Sequence, residues 1–293
     1  GVSENMVKSL SDALEAHELI KINVLTNAEE DAKAFGAELA EALKAECVAV
    51  IGRKIILYRR SSRKDFDHIR FCPMYRYETH CHTKYTSACS QLDAETLVSL
   101  YLKNGYDGII VTDHFLNGNT TVDLSKSWEA QIDEFFIGYE RVRQEGEKRG
   151  LKVFFGFEYS YLGTDFLVYG LDREFLYAHP GLLEPGVRAF LSLAREKGAL
   201  CVQAHPYREA DYIDHIRLYP SDVDGIETIN AGRNERCNRL ADILADEYSL
   251  AKTGGSDLHV SRQKMLAGIE TEFPLACIAD FIAAVKKGEA KPF

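Results

Sequence analysis

Histidine, aspartate and glutamate recur in this sequence at the ends of short apolar runs, where side chains of these types can bind metal ions. Seven such runs follow one another from residue 75 onward. The polar residues at or beside their ends are His80, His82, His114, Glu158, Asp172, His205, Asn230, Asp257 and His259. Imidazoles mixed with carboxylates favour zinc, manganese or iron over calcium or magnesium. The pattern therefore predicts a metal site.

The spacing within two of these groups indicates how an ion could be held. His80 and His82 lie two residues apart in a strand, so both imidazoles point to one face while Cys81 points away. Asp257 and His259 repeat this spacing after two glycines and a serine, whose small size lets the backbone approach a crowded site. Glu158 has two oxygens that can bridge two ions, and ions about 3.5–4 Å apart generate hydroxide at neutral pH.

These residues can form one site only if the strands that precede them end close together. The apolar runs are short and bounded by Gly or Pro, as is typical of buried parallel strands. Helical patterns alternate with them, at about residues 93–104, 128–149, 184–198, 209–218, 233–247 and 275–287. This alternation predicts a parallel sheet, and seven strands predict a closed or nearly closed α/β barrel. Such a barrel assembles its site at the mouth where its strands end.

A separate pattern precedes the barrel. Two amphipathic stretches alternate with three strand-like runs, in the order 5–16, 19–25, 29–45, 48–52 and 55–58. The last two runs are separated by a short Gly-containing turn and predict a β-hairpin. We therefore expect a small α/β segment over residues 1–62, a polar linker over 63–74 and the barrel over 75–293.

Composition restricts the class of protein. The chain has 293 residues, a formal net charge of −10 and 46% hydrophobic residues, which is ordinary for a soluble protein with a sizeable core. The net charge disfavours non-specific binding of nucleic acid over the whole surface. Seven cysteines without paired spacing argue against a disulfide framework and favour the cytoplasm. No apolar stretch approaches membrane-spanning length, so no membrane partner is expected.

Five short motifs, in this order, resemble those of the PHP (polymerase and histidinol phosphatase) phosphoesterases. They are His80-Cys81-His82-Thr83, Thr112-Asp113-His114, Gly156-Phe157-Glu158, Ala204-His205-Pro206 and Gly255-Ser256-Asp257-Leu258-His259. The resemblance covers roughly residues 75–265. It implies a distorted (β/α)7 barrel, similar to a TIM barrel, with two or three divalent metal ions and phosphoester hydrolysis as its activity.

The resemblance also implies which residues bind each ion. The first ion would have His80, His82, Glu158 and Asp257, the second Glu158, Asp172 and His205, and the third His114 and His259. Many members have a further histidine about six residues after the second histidine of the first motif, and residues 83–90 offer none. Two ions and three ions therefore both stay open.

Cations that follow the strand ends are candidates for phosphate binding. Arg208 lies three residues after His205, and a guanidinium can bind two phosphate oxygens at once. Lys84 and Arg233 also follow strand ends. Asn230 is a candidate for a hydrogen bond to the substrate or to a metal-bound water, and a turn-capping role is equally open.

Residues 1–60 resemble a second family, the CRM-type RNA-binding domains of the ribosome-assembly sort. The matching stretches are residues 1–5, 13–21 and 50–59. Such domains have an earlier helix and strand and a basic glycine-rich loop that contacts RNA, and this chain begins at the end of that loop. Ten acidic residues stand against eight basic ones in this segment, so RNA is a weaker expected partner than a small phosphoester.

The sequence thus predicts a cytoplasmic, metal-dependent phosphoesterase that uses metal-activated hydroxide on a phosphomonoester or a nucleotide-type phosphoester. The candidate catalytic residues are Arg208, which would assist, and Asp113 or His259, which would transfer protons. The same hydroxide would also suit amide or lactone hydrolysis. An alternative of a different class is an RNA-binding factor of the ribosome-assembly type, acting through the N-terminal segment.

Overall fold

A computed structural model describes residues 2–24, 31–63, 69, 73–263 and 265–293. The chain divides into two compact units, Gly1–Cys72 and Pro73–Phe293. The linker expected over residues 63–74 spans this division, and its residues 64–68 and 70–72 lie outside the described part of the chain.

The first unit combines two helices with a three-stranded sheet. Its elements are α1 (Glu4–His17), β1 (Leu19–Asn23), α2 (Ala32–Leu43), β2 (Glu46–Ile51) and β3 (Lys54–Tyr58). The sheet is antiparallel in the order β1-β3-β2. Ser3 and Asp31 begin the two helices by accepting hydrogen bonds from backbone N–H groups of the first turn, as is typical of N-cap residues.

Alternation along β3 determines which face of this sheet is buried. Ile55 and Leu57 are fully buried, since successive side chains of a strand point to opposite faces. They pack with Leu14 of α1 and with Leu39 and Leu43 of α2. The helices of the first unit therefore cover one face of its sheet.

The predicted hairpin of the first unit is present. Ile51 of β2 pairs with Lys54 of β3 across the two residues Gly52 and Arg53. Gly52 has φ of 60°, a left-handed conformation that favours glycine. Residues 25–30, which include the predicted end of the first strand and start of the second helix, lie outside the described part of the chain.

The second unit is built on one nine-stranded sheet. Its strands are β4 (Tyr75–Cys81), β5 (Gly108–Val111), β6 (Lys152–Tyr161), β7 (Thr164–Tyr169), β8 (Leu200–Ala204), β9 (Gly225–Asn230), β10 (Ala251–Gly255), β11 (Ile269–Thr271) and β12 (Lys291–Pro292). The order in the sheet is β10-β9-β8-β7-β6-β5-β4-β11-β12. The seven predicted strands therefore lie side by side in chain order, with two short strands added beyond β4.

One of the seven strands runs against the others, which the sequence reasoning had not anticipated. β7 is antiparallel to both β6 and β8, whereas the remaining neighbours among β4–β10 are parallel. The cause is a tight turn at Leu162-Gly163, where both residues have positive φ. Such a turn leaves no room for a crossover helix, so β6 and β7 form a hairpin. The prediction of a wholly parallel barrel is therefore corrected at β7.

The sheet nearly closes between its first and seventh strands. The Thr79 hydroxyl of β4 donates to the Gly254 carbonyl of β10 at 2.7 Å. Beyond the strand ends, Asp257 N–H donates to His80 O at 2.8 Å, and His82 N–H donates to Leu258 O at 3.3 Å. These bonds bring the first and last predicted ligand motifs together.

Six helices of the second unit connect the strands. They are α3 (Ala94–Lys103), α4 (Trp128–Arg149), α5 (Arg173–Ala178), α6 (Val187–Glu196), α7 (Glu235–Glu247) and α8 (Ile278–Lys287). The helix predicted over residues 209–218 is wrong, because that segment forms turns and irregular backbone. Arg208, just before this segment, and Arg217, near its end, donate to the carbonyls of Gly163 and Leu162. These bonds tie the segment to the β6–β7 turn as a loop.

The alternation of side chains along β6 determines where the side chain of Glu158 points. Phe155 and Phe157 pack with the helices in one aromatic cluster that includes Phe135 of α4. Phe154, on the opposite side of the strand, belongs to another buried cluster. Glu158 follows two positions after Gly156 on the same side as Phe154. The strand therefore aims Glu158 into the barrel.

The distorted (β/α)7 barrel with a small N-terminal α/β segment, predicted from the sequence, is confirmed. The distortion consists of the antiparallel β7, the incomplete closure between β4 and β10, and the two added strands. In the part of the chain that the structure describes, none of the helices has both the length and the apolar character needed to cross a membrane.

Candidate metal centre

Glu158 lies at the centre of a group of imidazoles. Its Oε2 is 2.8 Å from Nδ1 of His114 and 3.5 Å from Nε2 of His82. Its Oε1 is 3.5 Å from Nε2 of His80 and 3.4 Å from Nε2 of His205. Glu158 is fully buried, and neither oxygen has a hydrogen-bond partner among the described residues. Because a buried carboxylate without hydrogen bonds is costly, this arrangement fits oxygens directed at a cation.

His80 and His82 are oriented from behind by two different polar groups. Nδ1 of His80 donates to Glu227 Oε1 at 2.8 Å, since a carboxylate can only accept. Nδ1 of His82 is 3.2 Å from Ser87 Oγ. The Ser87 hydroxyl donates its own proton to Asp113 at 2.6 Å, so it accepts from His82. Both imidazoles are thereby held with Nε2 directed into the cluster, and the two Nε2 atoms lie 3.2 Å apart.

Asp257 and His205 reach the cluster from strained backbone. Their φ angles are 50° and 26°, in a region that residues other than glycine rarely adopt. Oδ1 of Asp257 lies 3.5 Å from Nε2 of His80 and 3.4 Å from Nε2 of His82. Its Oδ2 lies 3.8 Å from Nε2 of His205. Strain of this kind is commonly stored at functional sites.

The candidate ligands form overlapping sets of three whose donor atoms all lie within 4.8 Å of one another. The sets are His80, His82 and Glu158; His80, His205 and Asp257; Glu158, Asp165 and His205; and His82, His114 and His259. The structure therefore brings together every residue predicted for the first ion and both residues predicted for the third. Of the residues predicted for the second ion, the structure brings together Glu158 and His205 but not Asp172.

Asp165, which the sequence analysis missed, occupies the position predicted for Asp172. Asp165 pairs with Ser160 of β6 and with Ala204 of β8, so it lies at the mouth of the barrel beside His205. Its Oδ2 is buried and lies 4.0 Å from Nε2 of His205 and 2.6 Å from Nη2 of Arg208. The available signal was an aspartate near the start of an apolar strand, two residues after the Leu162-Gly163 turn.

The prediction of Asp172 as a ligand is corrected because β7 is antiparallel. Tyr169, at the end of β7, pairs with Leu200 and Gly156, so the chain leaves β7 at the opposite end of the barrel. Asp172 is exposed there, and its Oδ1 accepts a hydrogen bond from Phe175 N at 2.8 Å. Asp172 is therefore the N-cap of α5.

Asp113 supports a loop and does not line the cavity, contrary to its prediction as a proton-transfer residue. Its carboxylate accepts from Thr83 N at 2.6 Å, Thr83 Oγ1 at 2.7 Å, Thr86 Oγ1 at 2.5 Å and Ser87 Oγ at 2.6 Å. Burial raises its pKa despite these bonds. Asp113 therefore acts on the cluster through Ser87, which holds His82.

Glu227 supports the cluster from behind and was not predicted as a site residue. It is fully buried, and its Oε1 holds His80. Its Oε2 accepts from the backbone of His205 and from the Asn230 side chain, both at 2.9 Å. Asn230 is also fully buried and lies behind the ligands, where it supports Glu227 rather than facing the cavity. A carboxylate behind a ligating histidine is a common arrangement in metal sites.

A cavity of about 570 Å³ opens over the cluster. Arg208 and Arg233 line it together with Glu158, Asp165 and Asp257. Nη2 of Arg208 lies 2.6 Å from Asp165 Oδ2, and Nη2 of Arg233 lies 3.3 Å from Asp257 Oδ2. The Nε atoms of both arginines are buried and have no hydrogen-bond partner in the described segments. The cavity thus has two guanidinium groups close to the candidate ligands.

Lys84 lies outside this cavity. Its Nζ forms an ion pair with Asp93 at 3.0 Å, and Asp93 is the N-cap of α3. The structure therefore does not bring Lys84 to the predicted phosphate-binding position. The loop after β4 turns back toward α3, because its backbone is bonded to Leu92 through Lys84 N–H.

The cluster is electrostatically suited to cations. Although burial acts to raise it, the imidazoles of His114 and His80 hold the pKa of Glu158 well below its usual range. Burial likewise opposes ionisation of Asp257, but His80 and other imidazoles hold its pKa well below the usual value. Burial would lower the pKa of His114, yet Glu158 and Cys89 raise it to about 11. The carboxylates of Glu158 and Asp257 are therefore ionised and stabilise positive charge around them.

Cys89 and His259 lie at the edge of the cluster. Both line the cavity with His114. Burial acts to raise the pKa of the Cys89 thiol, but hydrogen bonds with His114 and His259 lower it to about 7. The sequence analysis did not name Cys89 as a site residue, so it missed this residue as well as Asp165 and Glu227.

Two family models match parts of the chain. The CRS1/YhbY (CRM) domain matches residues 1–59, and the PHP-associated family matches residues 235–290. Over 61 residues the chain is 44% identical to the Bacillus subtilis (strain 168) protein named "Probable RNA-binding protein YqeI". That match covers 21% of this chain and 64% of the relative, less than two thirds of the relative's length.

Solved structures are similar in fold. One is a two-domain protein from Bacteroides vulgatus ATCC 8482 that is described as containing a predicted PHP-like metal-dependent phosphoesterase. The match has a TM-score of 0.54 and 16% identity, and it covers 75% of this chain and 65% of that chain. Another is PsfC from Pseudomonas syringae PB-5123, with TM-score 0.51 and 19% identity over 75% of this chain and 91% of that chain. Both resemblances predicted from the sequence are confirmed: residues 1–59 match the CRS1/YhbY (CRM) domain family, and the barrel has a PHP-like fold with a PHP-associated stretch near its C-terminus.

Proposed function

We propose that the barrel is a metal-dependent phosphoesterase that hydrolyses a phosphomonoester or a nucleotide-type phosphoester. The observation that carries this proposal is the state of Glu158, whose two buried oxygens lie between four imidazoles without hydrogen bonds from any described residue. Carboxylate oxygens that face imidazole nitrogens in this way are typical of two ions sharing one bridging ligand.

The described residues fit two divalent ions of the zinc, manganese or iron type. His80, His82, Glu158 and Asp257 would hold the first ion, and Glu158, Asp165 and His205 would hold the second. When bound, the ions would supply Lewis acidity toward the phosphoryl oxygens and a hydroxide nucleophile at neutral pH. Glu227 and Ser87 would keep the ligating histidines in the required tautomer.

Arg208 and Arg233 would bind the substrate. Their guanidinium groups line the cavity directly beside Asp165 and Asp257, where a phosphoryl group in contact with the ions would lie. Guanidinium groups bind phosphate oxygens in pairs and stabilise the charge that develops on them. Because each Nε is still unbonded among the described residues, both arginines have donors left for a phosphoester.

The proposal is tested with purified full-length protein, a panel of phosphoesters and added zinc, manganese or iron(II). We expect phosphate release that chelation abolishes and that Glu158→Gln lowers by at least about a hundredfold, because the variant loses one ligand of each ion. Glu174→Gln, an exposed glutamate of α5, should keep full activity. Hydrolysis of amides or lactones without any phosphoester turnover would replace the proposed reaction, and metal-independent phosphate release would contradict it.

We also propose that the N-terminal unit binds RNA. The supporting observation is the match of residues 1–59 to the CRM family together with 44% identity to a relative named as an RNA-binding protein. Lys54, exposed at the start of β3, lies in one of the stretches that resemble this family. Fluorescence anisotropy with labelled RNA should show salt-dependent binding that Lys54→Glu weakens and Lys103→Glu on α3 leaves unchanged. Absence of binding by the full chain at low salt would contradict this role.

A further inference from the structure

Cys89 lies beside two imidazoles that the two proposed ions do not use. Its side chain lines the cavity together with His114 and His259, and both imidazoles interact electrostatically with its thiol. Cys89 is seven residues after His82, within the segment that offers no further histidine. Because cysteine sulfur binds zinc and iron in the same sites as imidazole, Cys89 supplies the type of ligand that this segment otherwise lacks.

Each neighbouring imidazole has a nitrogen available for an ion. Nδ1 of His259 is 2.8 Å from the carbonyl oxygen of Asp257, so Nδ1 carries the proton and Nε2 has a free lone pair. His114 is 8% exposed, and its Nδ1 lies 2.8 Å from Oε2 of Glu158 without forming a hydrogen bond in the described part of the chain. Together with His82, these residues each place a nitrogen within 4.8 Å of the others. Three imidazole nitrogens this close together indicate a ligand at this edge of the cluster.

The backbone on both sides of Cys89 is fixed toward the cluster. Ala88 N–H donates to Asn119 O at 2.8 Å, and Gln91 N–H donates to His259 O at 2.9 Å. The Ser90 hydroxyl donates to His82 O at 3.0 Å. These bonds attach the segment to the chain around His82 and His259. A ligand on such a segment needs little ordering when an ion binds.

We propose that Cys89, His114 and His259 bind a third divalent cation and that Cys89 binds it as a thiolate. The inference rests on the proposed function, since it adds one ion to the centre proposed there. On binding, the thiol releases its proton to solvent and a sulfur–metal bond forms, without any transfer of electrons. The soft sulfur ligand makes this site prefer zinc or iron(II) to manganese.

Cobalt(II) tests the assignment, because a thiolate–cobalt bond gives a charge-transfer band in the near ultraviolet. Cobalt-loaded full-length protein should show the band. Cys89→Ser should lose the band and about one equivalent of cobalt per chain, because a hydroxyl is a poor replacement for thiolate. Cys277→Ser is the control, since Cys277 is an exposed cysteine at the N-cap of α8, and it should keep both.

A second variant separates ligation from packing. Cys89→His should retain the cobalt equivalent while losing the band, and it decides the question if Cys89→Ser does not fold. A wild-type protein that binds two or more equivalents without the band would overturn the assignment of Cys89 and leave the proposed function standing. A band that persists in Cys89→Ser would also overturn it. A wild-type protein that binds no cobalt, zinc or manganese would overturn the proposed function as well.

Discussion

Glu227 provides a test of how residues behind the ligands tune the proposed metal centre. The substitution Glu227→Gln preserves the volume of a fully buried side chain and removes its charge. The glutamine oxygen can still accept from Nδ1 of His80, which Glu227 now binds at 2.8 Å. Its amide nitrogen would then face two other donors, the backbone N–H of His205 and the side-chain amide of Asn230. Glu227 now accepts a hydrogen bond from each of them at 2.9 Å.

The expected loss follows from these contacts. One charge-assisted hydrogen bond to His80, which contributes about 1.5–3 kcal/mol, becomes a neutral one, which contributes about 0.5–1.5 kcal/mol, so about 1–1.5 kcal/mol is lost. Removal of a polar partner behind a ligating histidine generally weakens metal binding by about 10–100-fold, or about 1.4–2.7 kcal/mol. The two estimates overlap, so we expect Glu227→Gln to weaken zinc binding by about 10–100-fold.

The assay is competition for zinc between the protein and a chromophoric chelator. Glu174→Gln, an exposed carboxylate in α5, is the control for the loss of one negative charge. Thermal unfolding of each variant without metal shows whether the barrel remains folded. A folded Glu227→Gln protein with wild-type zinc affinity would refute the reasoning that Glu227 tunes His80.

The remaining predictions concern other parts of the barrel. Asp165→Asn should cost about one metal equivalent, whereas Asp172→Ala should keep the full metal content and destabilise the protein by about 1 kcal/mol through loss of the α5 N-cap; metal analysis and thermal unfolding distinguish them. Arg208→Ala should raise KM for a phosphoester and lower kcat/KM by about 10–100-fold, since a hydrogen bond to a charged group contributes about 1.5–3 kcal/mol. Burial raises the pKa of Glu78 from 4.5 to about 7. Stabilisation by its bound proton is present below pH 4.5 and is lost as the pH rises through about 7, so up to about 3 kcal/mol of unfolding free energy should disappear over this range. Glu78→Gln should remove most of this pH dependence in metal-free protein, as measured by urea denaturation.

Each of these outcomes has a clear contrary result. Loss of metal from Asp172→Ala would restore Asp172 to the second ion and remove Asp165 from it. An unchanged KM for Arg208→Ala, with Arg143→Ala on α4 as the control, would remove Arg208 from substrate binding. A pH profile of Glu78→Gln equal to that of the wild type would show that Glu78 does not retain its proton in the folded barrel.

The parallel part of the barrel could be predicted from the sequence because its strands follow one simple rule. His80, His82, Glu158, His205 and Asp257 each lie at or after the end of a strand, and the ends of parallel strands meet at one mouth. The short apolar runs were therefore enough to predict the fold class, and the polar residues at strand ends were enough to predict most of the candidate ligand cluster.

The rule that ligands follow strand ends failed at β7, which runs antiparallel to its neighbours. Leu162-Gly163 reverses the chain after β6, and this exchanges the ends of β7, so that Asp165 points into the site and Asp172 caps a helix. Residues within one apolar run do not indicate by themselves whether the run is parallel or antiparallel to its neighbours. The tight turn was the available signal, because a two-residue connection excludes a parallel crossover.

The supporting residues could not be predicted because their roles depend on contacts between distant segments. Glu227 meets His80 across 147 positions in the sequence, and Asp113 meets Ser87 across 26. Asp113 and Asn230 follow strands as ligands do, so position along the chain did not distinguish them from ligands. The direction of each side chain decided their roles.

The central claim is that Glu158 bridges two metal ions, and electron paramagnetic resonance of manganese-loaded protein tests it most directly. Two manganese(II) ions that share a carboxylate are magnetically coupled, so the fully loaded wild type should give the broad, multiline spectrum of a coupled pair. Glu158→Gln should give the spectrum of isolated manganese(II) or bind less of it, and Glu174→Gln should resemble the wild type. A fully loaded wild-type protein that shows isolated manganese(II) alone would contradict the bridging role of Glu158.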